Sequence, residues 1–458
     1  MKVDALILAA GKGTRMKSEI PKVLHRIGNK TLIEILIDKI MDMVDRVIVV
    51  VGYRGDEVRK YLSQKYNSLI FVEQKEQLGT AHAVKVALDK LQGDVTIIIP
   101  GDAPFVSKDT IRMMLDSLKD GDMVTLLMEV EAPEGYGRAI TDGERLLRIV
   151  EESDLTDSER DITLVNTGVY AVKSDILKNF IGCIEVNPKK GEYYLTDIIE
   201  ILNKNGKKVK FIVCKEEEGM GINDRFQLVK AFRSINSKKI EELIKNGVTV
   251  ISPENTFIDE EVEIEPDTII WPYVFIQGKT RIGKRCEIMP FVVIRDSIIK
   301  DDCKIREYSH IEGAIIEEEV NIGPFARIRP ETIIKARAKI GNFVELKKTI
   351  MGERSQANHL AYLGDATIGS GVNIGAGVIT CNYDGVRKNP TFIDDGAFIG
   401  SDCQLVAPVR IGKNALIGAG TTVTKNIPDD ALAVSRAELR ILEGKGMNYY
   451  RKRKGEGK

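Results

Sequence analysis

From residue 3 to about 245, short β-branched runs alternate with stretches whose apolar residues recur every three or four positions. "RVIVVV" at 46–51 and "TIIIP" at 96–100 predict buried strands, and "TLIEILIDKIMDMV" at 31–44 predicts an amphipathic helix. Such alternation predicts βαβ units on a mostly parallel sheet, whose ligands gather beyond the carboxyl ends of the strands. A single long connecting helix is predicted over 223–247, with Asn223 or Asp224 as its N-cap and Gly247 as its stop.

Beyond that helix the hydrophobic beat changes to six. Isoleucines stand six apart from Ile258 to Ile294, the beat slips by one at Ile299 and again at Ile316, and then holds to Leu346. It resumes at Ile368 and Ile374 and, after a second interruption, runs from Ile393 to Val423. This pattern predicts short parallel strands joined by tight turns, each sending one aliphatic side chain into a shared core. Glycines that follow the isoleucines (Gly283, Gly323, Gly341, Gly369, Gly375, Gly400, Gly412, Gly418) are read as turn residues. At three strands per coil the pattern makes roughly nine coils stacked at about 4.8 Å. The interruptions, "KKTIMGERSQANHLAYLGDA" and "GAGVITCNYDGVRKNPTF", are read as excursions from a side or corner, the first carrying His359.

Composition narrows the function classes. The 458 residues include 67 basic and 68 acidic side chains, so no net field draws the protein to nucleic acid or a membrane. The six cysteines form no CxxC pair and are read as packing thiols of a reducing compartment. No apolar run approaches the ~20 residues of a membrane span. The expectation is a cytoplasmic protein without membrane insertion or nucleic-acid partner, bound to small molecules at local sites.

The first such site follows the first strand. "LILAAGKGTRM" at 6–16 carries glycines and cations but fits neither common phosphate loop, because Lys12 precedes Gly13 rather than Ser or Thr and Met16 replaces a third glycine. With "PKVL", "EQLGTAHA", "GDAP", "GYGR", "NTGVY", "GEYYLTD" and "GIND", and then a six-residue solenoid bearing "NHLAYLGDA" and "CNYDG", the chain resembles one family along nearly its whole length. That family is the bifunctional N-acetylglucosamine-1-phosphate uridyltransferase/glucosamine-1-phosphate acetyltransferases. The resemblance implies an α/β Rossmann-like nucleotidyltransferase domain followed by an all-β left-handed parallel β-helix that forms a homotrimer. It divides the chain into 1–225, a connecting helix 226–250, the β-helix 251–435 and a basic tail 436–458.

The resemblance also implies roles. Leu8, Ala9, Ala10, Gly11 and Gly13 wrap UTP, with Arg15 and Lys22 toward its phosphates, and Gln74, Gln77, Gly79 and Thr80 read the uracil. Gly137, Glu151, Asn166 and Thr196 form the sugar pocket, and Asp102 and Asn223 hold Mg2+. Plainer readings stand beside these: Gly11 and Gly13 as turn glycines, Asp102 or Asn223 as a helix cap, and Glu151 as part of a solvated acidic run.

For acetyl transfer from acetyl-CoA the resemblance implies His359 as general base, a residue type suited to proton transfer near neutrality. Arg329, Lys347, Tyr362, Asn373 and Lys388 are then the glucosamine-1-phosphate binders, with Glu345 a possible partner of the base. Ala376, Asn382, Tyr383, Ser401, Ala419 and Arg436 are expected along acetyl-CoA. His25, His82 and His310 are read as packing or surface residues. Ala81, Asn358 and Ala361 depart from the family pattern. Two other readings remain: a single-activity nucleotidyltransferase with a purely structural solenoid, and a non-catalytic regulatory subunit.

Overall fold

The computed structural model describes residues 1–143 and 145–453. The chain forms two compact units, Met1–Ser234 and Ile235–Lys458, and the division falls within the long helix Arg225–Lys245.

In the first unit, nine strands make one sheet: β1 (Val3–Ala9), β2 (Arg46–Val51), β3 (Ile70–Glu73), β4 (Val95–Pro100), β5 (Met123–Glu129), β6 (Arg138–Asp142), β7 (Arg145–Val150), β8 (Leu164–Lys173) and β9 (Val209–Cys214). Their order is β9-β5-β8-β4-β1-β2-β3, with the β6–β7 hairpin attached to β8. All neighbours along this path are parallel except β8, which runs antiparallel to both β4 and β5. Both faces are covered: Ala5 and Ile7 pack into one apolar cluster and Leu6 into another. The helix expected at 31–44 runs Leu32–Ile40, opened by a reciprocal capping box between Thr31 and Glu34. Loops leaving β1, β3 and β4 emerge on one edge, as the parallel order requires.

The second unit is a parallel β-helix with three faces. Val250 begins the column of the third face, ahead of Ile270, and Ile258 and Ile264 begin those of the first and second. The second face is a nine-stranded sheet and the other two belong to one nineteen-stranded sheet. The inward residues are almost fully buried from Ile258 to Val423. Each such side chain contributes on the order of 1.5–3 kcal/mol.

Two expectations about this unit need correction. The stretch between Leu346 and Ile368 is no excursion: Met351, Ala357 and Leu363 occupy the second, third and first faces at 0% exposure, so it is an ordinary coil. Its beat was hidden because Met and Ala fill two of the inward positions. His359 therefore lies on a continuous strand, Gln356–Gly364. The second interruption is an excursion: the second-face step from Ile368 to Ile393 holds extra residues, which leave the core after Thr380 and return at Thr391.

The glycines after the isoleucines also serve another purpose. Of the eight, only Gly323 has positive φ; at Gly341 an added Cβ would lie 1.8 Å from the Asn358 carbonyl oxygen of the next coil. They permit close coil-to-coil approach. The left-handed conformation falls two residues later, at Arg285, Phe325, Phe343, Asp402 and Asn414. At one corner these residues are aromatic, and Tyr273, Phe291, Tyr308, Phe325 and Phe343 stack with centroids 4.9–5.3 Å apart.

Among the described residues all six cysteines are free; Cys286, Cys303 and Cys403 are buried in the β-helix, whereas Cys183 is exposed rather than packed. No described helix is long and apolar enough to cross a membrane. Of the tail, Lys445–Arg453 is helical, and 454–458 lie outside the described residues.

Candidate active sites

A cleft of about 750 Å³ opens at the carboxyl ends of β1, β3 and β4. Its wall begins with Leu8, Ala9, Ala10, Gly11 and Gly13 and continues through Lys22, Gln74, Gln77, Gly79, Thr80 and Asp102 to Glu151, Asn166 and Thr196. The loop is held by its own turns and by its neighbours. Gly13 has φ +59°, Met16 is buried, and Gly101 N–H donates to the Leu8 carbonyl at 2.9 Å. Gly79 has φ +103° and lies so close to Tyr193 that a Cβ would come within 2.5 Å of its carbonyl oxygen. The helix Thr80–Ala87 thus starts against the cleft floor, with Thr80 Oγ1 accepting from Leu195 N–H.

Three of the expected residues are outside the lining, and two of them meet at its mouth. Asn223 Oδ1 accepts from Lys22 Nζ at 3.1 Å and from Arg15 Nη2 at 3.0 Å, while Lys22 also pairs closely with Asp102. Ile222 N–H donates to the Asp102 carbonyl at 2.9 Å, which holds the two oxygen-bearing segments side by side. The third, Gly137, accepts from Asn166 N–H at 2.9 Å behind the sugar side of the cleft. Neither capping reading describes this cluster. Ser107 caps the helix after Asp102, and Asp224 accepts from Gln227 N–H at 2.8 Å to cap the long helix, leaving the Asn223 side chain free for the cleft.

Asp102 and Asn223 present two hard oxygen donors that already converge on one positive charge, the Lys22 ammonium. This donor set suits Mg2+. Among the described residues no three His, Cys, Asp or Glu side chains gather into a site that would hold a metal alone. A metal here would complete its shell from phosphate oxygens and water.

At the cleft's other end Glu151 accepts from Thr196 Oγ1 at 2.9 Å; burial, aided by the Asp197 charge, raises its carboxyl above the usual range. It is not on a solvated face. Asn166 donates to the Tyr170 hydroxyl at 2.8 Å, and burial pushes that phenol upward. Sequence reasoning missed Tyr170, Glu192 and Tyr194, which line the cleft without a phosphate-loop or metal-ligand signal.

In the β-helix the expected residues fall at two corners. Where the third face turns into the first, Asn342 pairs in register with His359. Ala376, Ser401 and Ala419 continue the same column, because each stands two residues past paired inward isoleucines. Asp402 N–H to the Ala376 carbonyl (2.7 Å) and Gly420 N–H to the Ser401 carbonyl (2.8 Å) tie successive coils there, and Arg436 donates to the Ala419 carbonyl. The column is a strip of small side chains and backbone amides running away from an exposed imidazole.

Where the first face turns into the second, Arg329 and Lys347 stand one residue past the paired Ile328 and Leu346. Arg329 binds Glu345 at 2.9 Å, so Glu345 serves this corner and not the histidine. Lys347 lies 3.6 Å from Asp365, which also takes the Asn382 amide. The neighbouring Lys347 ammonium lowers Lys388 below the usual lysine range. Crowded cations of this kind are relieved by an anion such as a phosphate monoester. Tyr362 stands in register with Glu345. Three expected residues are not where their groups are: Asn382 and Tyr383 lie on the excursion at this corner rather than on the small-residue column, and Asn373 lies on the third face against Gln356.

These features define a class, a two-domain transferase in which a nucleotide-binding sheet is followed by a hexapeptide β-helix. Models of the MobA-like NTP transferase domain match residues 5–160, of the GMPPB C-terminal domain 252–334, and of the bacterial transferase hexapeptide 390–425. The chain is 47% identical over 443 residues to the bifunctional protein GlmU of Thermotoga petrophila, covering 96% of this chain and 98% of that one. Identity is 45% over 447 residues with the protein of the same name from Geotalea uraniireducens, and 44% over 440 with that from Carboxydothermus hydrogenoformans, with 95–96% of this chain and 98% of each relative covered. The chain belongs to the GlmU family of bifunctional proteins.

Proposed function

We propose that the chain acetylates glucosamine-1-phosphate from acetyl-CoA in its β-helix and then couples N-acetylglucosamine-1-phosphate to UMP from UTP in its first unit, releasing pyrophosphate. What carries the reading is the presence in one family member of the Lys22–Asp102–Asn223 cluster at a phosphate loop together with, on the β-helix, a His359 column at one corner and a cationic cluster at another.

In the first step the unprotonated 2-amine attacks the thioester carbon. His359 takes the proton from the amine and, as the carbon–sulfur bond breaks, returns it to the departing sulfur, so that coenzyme A leaves as thiol. Lys347, Lys388 and Arg329 hold the sugar's phosphate. In the second step a phosphate oxygen of the acetylated sugar attacks the α-phosphorus of UTP. The loop's backbone approaches the triphosphate, and Lys22 and Arg15 meet the charge that grows as pyrophosphate departs. Gln74, Gln77, Gly79 and Thr80 face the base, and Glu151, Asn166 and Thr196 face the sugar. Asp102 and Asn223 would hold Mg2+, which would supply further positive charge near the phosphate oxygens.

The His359 column and the Lys347 corner lie at opposite ends of the first face, so a second copy of the chain is needed to bring one corner against the other. A homotrimer with acetyl sites between adjacent β-helices meets this need. A cytoplasmic location is part of the proposal, supported by the six free cysteines.

The test supplies glucosamine-1-phosphate, acetyl-CoA, UTP and Mg2+, omitting each in turn. UDP-N-acetylglucosamine is expected only from the full mixture, and N-acetylglucosamine-1-phosphate should accumulate when UTP is omitted. Failure to acetylate, with uridylyl transfer intact, would leave the single-activity reading instead.

A further inference from the structure

We infer that Asn342 is a positioning residue for acetyl transfer: its side-chain oxygen holds the His359 imidazole in the tautomer with hydrogen on Nδ1, leaving the Nε2 lone pair free for the amine. The inference rests on His359 being the base. His359 Nδ1 lies 2.9 Å from Asn342 Oδ1, and the two residues are directly paired on neighbouring strands, Lys339–Lys347 and Gln356–Gly364.

A neutral imidazole has one N–H and one lone pair, and the partner of one nitrogen decides which nitrogen keeps the proton. With the amide oxygen toward Nδ1, that nitrogen must donate and Nε2 can accept. With the amide nitrogen toward it, the reverse holds and Nε2–H cannot accept a proton from an amine.

Within one chain the Nδ1 side of His359 meets this amide and no carboxylate. Glu345 is bound to Arg329 on the first face. Register places Asn342 on one side of His359 and Ala376 on the other, and the adjoining Asn358, Leu360, Phe343 and Gly377 are also neutral. The charged residues nearest along the Asn342 strand, Lys339 and Glu345, stand three positions to either side on the third and first faces. A neutral acceptor fixes the tautomer without the full charge that would favour the imidazolium and remove the base at neutral pH.

The experiment compares full-length Asn342→Leu, Asn342→Asp and His359→Gln. The first removes the acceptor at similar volume, and the second retains only acceptors. Both activities, the pH profile of acetyl transfer and thermal unfolding are measured on each preparation. Asn342→Leu is expected to lower the acetyl kcat about 10- to 100-fold, as outer-sphere partners of a histidine do, with the KM for acetyl-CoA and uridylyl transfer unchanged. Asn342→Asp should stay within about threefold of wild type at high pH, with its acid limb moved to higher pH because the carboxylate favours the imidazolium.

Wild-type kcat in Asn342→Leu, or loss in Asn342→Asp as deep as in Asn342→Leu, overturns the inference. Should Asn342→Leu not fold, Asn342→Asp alone decides, and an unmoved acid limb overturns it. His359→Gln separates this inference from the reading beneath it: full acetyl transfer in that variant removes the base itself, whereas its loss beside a normal Asn342→Leu removes only the positioning role.

Discussion

Lys22, whose ammonium lies between the Asp102 carboxylate and the Asn223 amide oxygen at the cleft, is proposed to meet phosphate charge there. Replacing Lys22 with Ala is expected to slow uridylyl transfer by about 10²- to 10³-fold, the usual effect of deleting a preorganised electrostatic donor, and to leave acetyl transfer unchanged. Steady-state rates of the two half-reactions check this; uridylyl transfer within threefold of wild type would remove Lys22 from the site. Glu151 gives a test through pH. Burial raises its carboxyl, so its folded form holds a proton more tightly than the unfolded chain does, and stability falls as pH rises from the ordinary carboxyl titration through the folded one. Glu151→Gln lacks that loss. Its melting temperature relative to wild type should therefore become more favourable between pH 4 and pH 7, and a difference independent of pH would show that Glu151 is not buried as an acid. Legibility at this scale depended on whether neighbours compete. "GDAP" and "GIND" marked Asp102 and Asn223, but adjacent Asn and Asp are equal cap candidates in sequence. Only the bond from Gln227 N–H to Asp224 separates cap from ligand. Asn342 was illegible because its use depends on register with a histidine on the next coil.

Elements were read well wherever one period ruled. The strands at 46–51 and 96–100 and the long connecting helix follow directly from their apolar patterns, and the six-residue beat fixed the β-helix core. The antiparallel β8 was not legible, because strand direction leaves no mark in a hydrophobic run. The coil carrying His359 escaped because Met351 and Ala357 fill inward positions without being β-branched. The turn glycines were read only in part for a related reason: sequence shows that a small residue is required at the turn, not whether φ or the next coil requires it. Gly79 combines both demands, with φ +103° and Tyr193 backbone within 2.5 Å of an added Cβ. Gly79→Ala must shift the start of the helix Thr80–Ala87, and the penalty for a backbone region open essentially to glycine alone (φ +103°, ψ 178°) is about 1–3 kcal/mol. We expect a raised KM for UTP and a melting temperature of the first unit lower by at least about 2 °C. Unchanged values for both would mean that the Gly79 turn is not fixed as described.

Across the whole molecule the two sets of chemistry differ in what they require. The cleft proposed for the nucleotide is lined by residues of Met1–Ser234, whereas the residues proposed for acetyl transfer sit at opposite ends of one β-helix face. A monomer made by charged substitutions on an outward face of the β-helix should lose acetyl transfer and keep uridylyl transfer. Light scattering and both assays on the same fraction check this, and a monomer acetylating at the wild-type rate would show the site to be complete in one chain. Separate cores also imply separable activities, which is the central claim. Its most direct test is a chain ending at Gly247, after the long helix, assayed for both reactions beside the full-length protein. Uridylyl transfer is expected within a few-fold of full length, with no acetyl transfer. Acetylation by that fragment, or a folded fragment without uridylyl transfer, would contradict that claim.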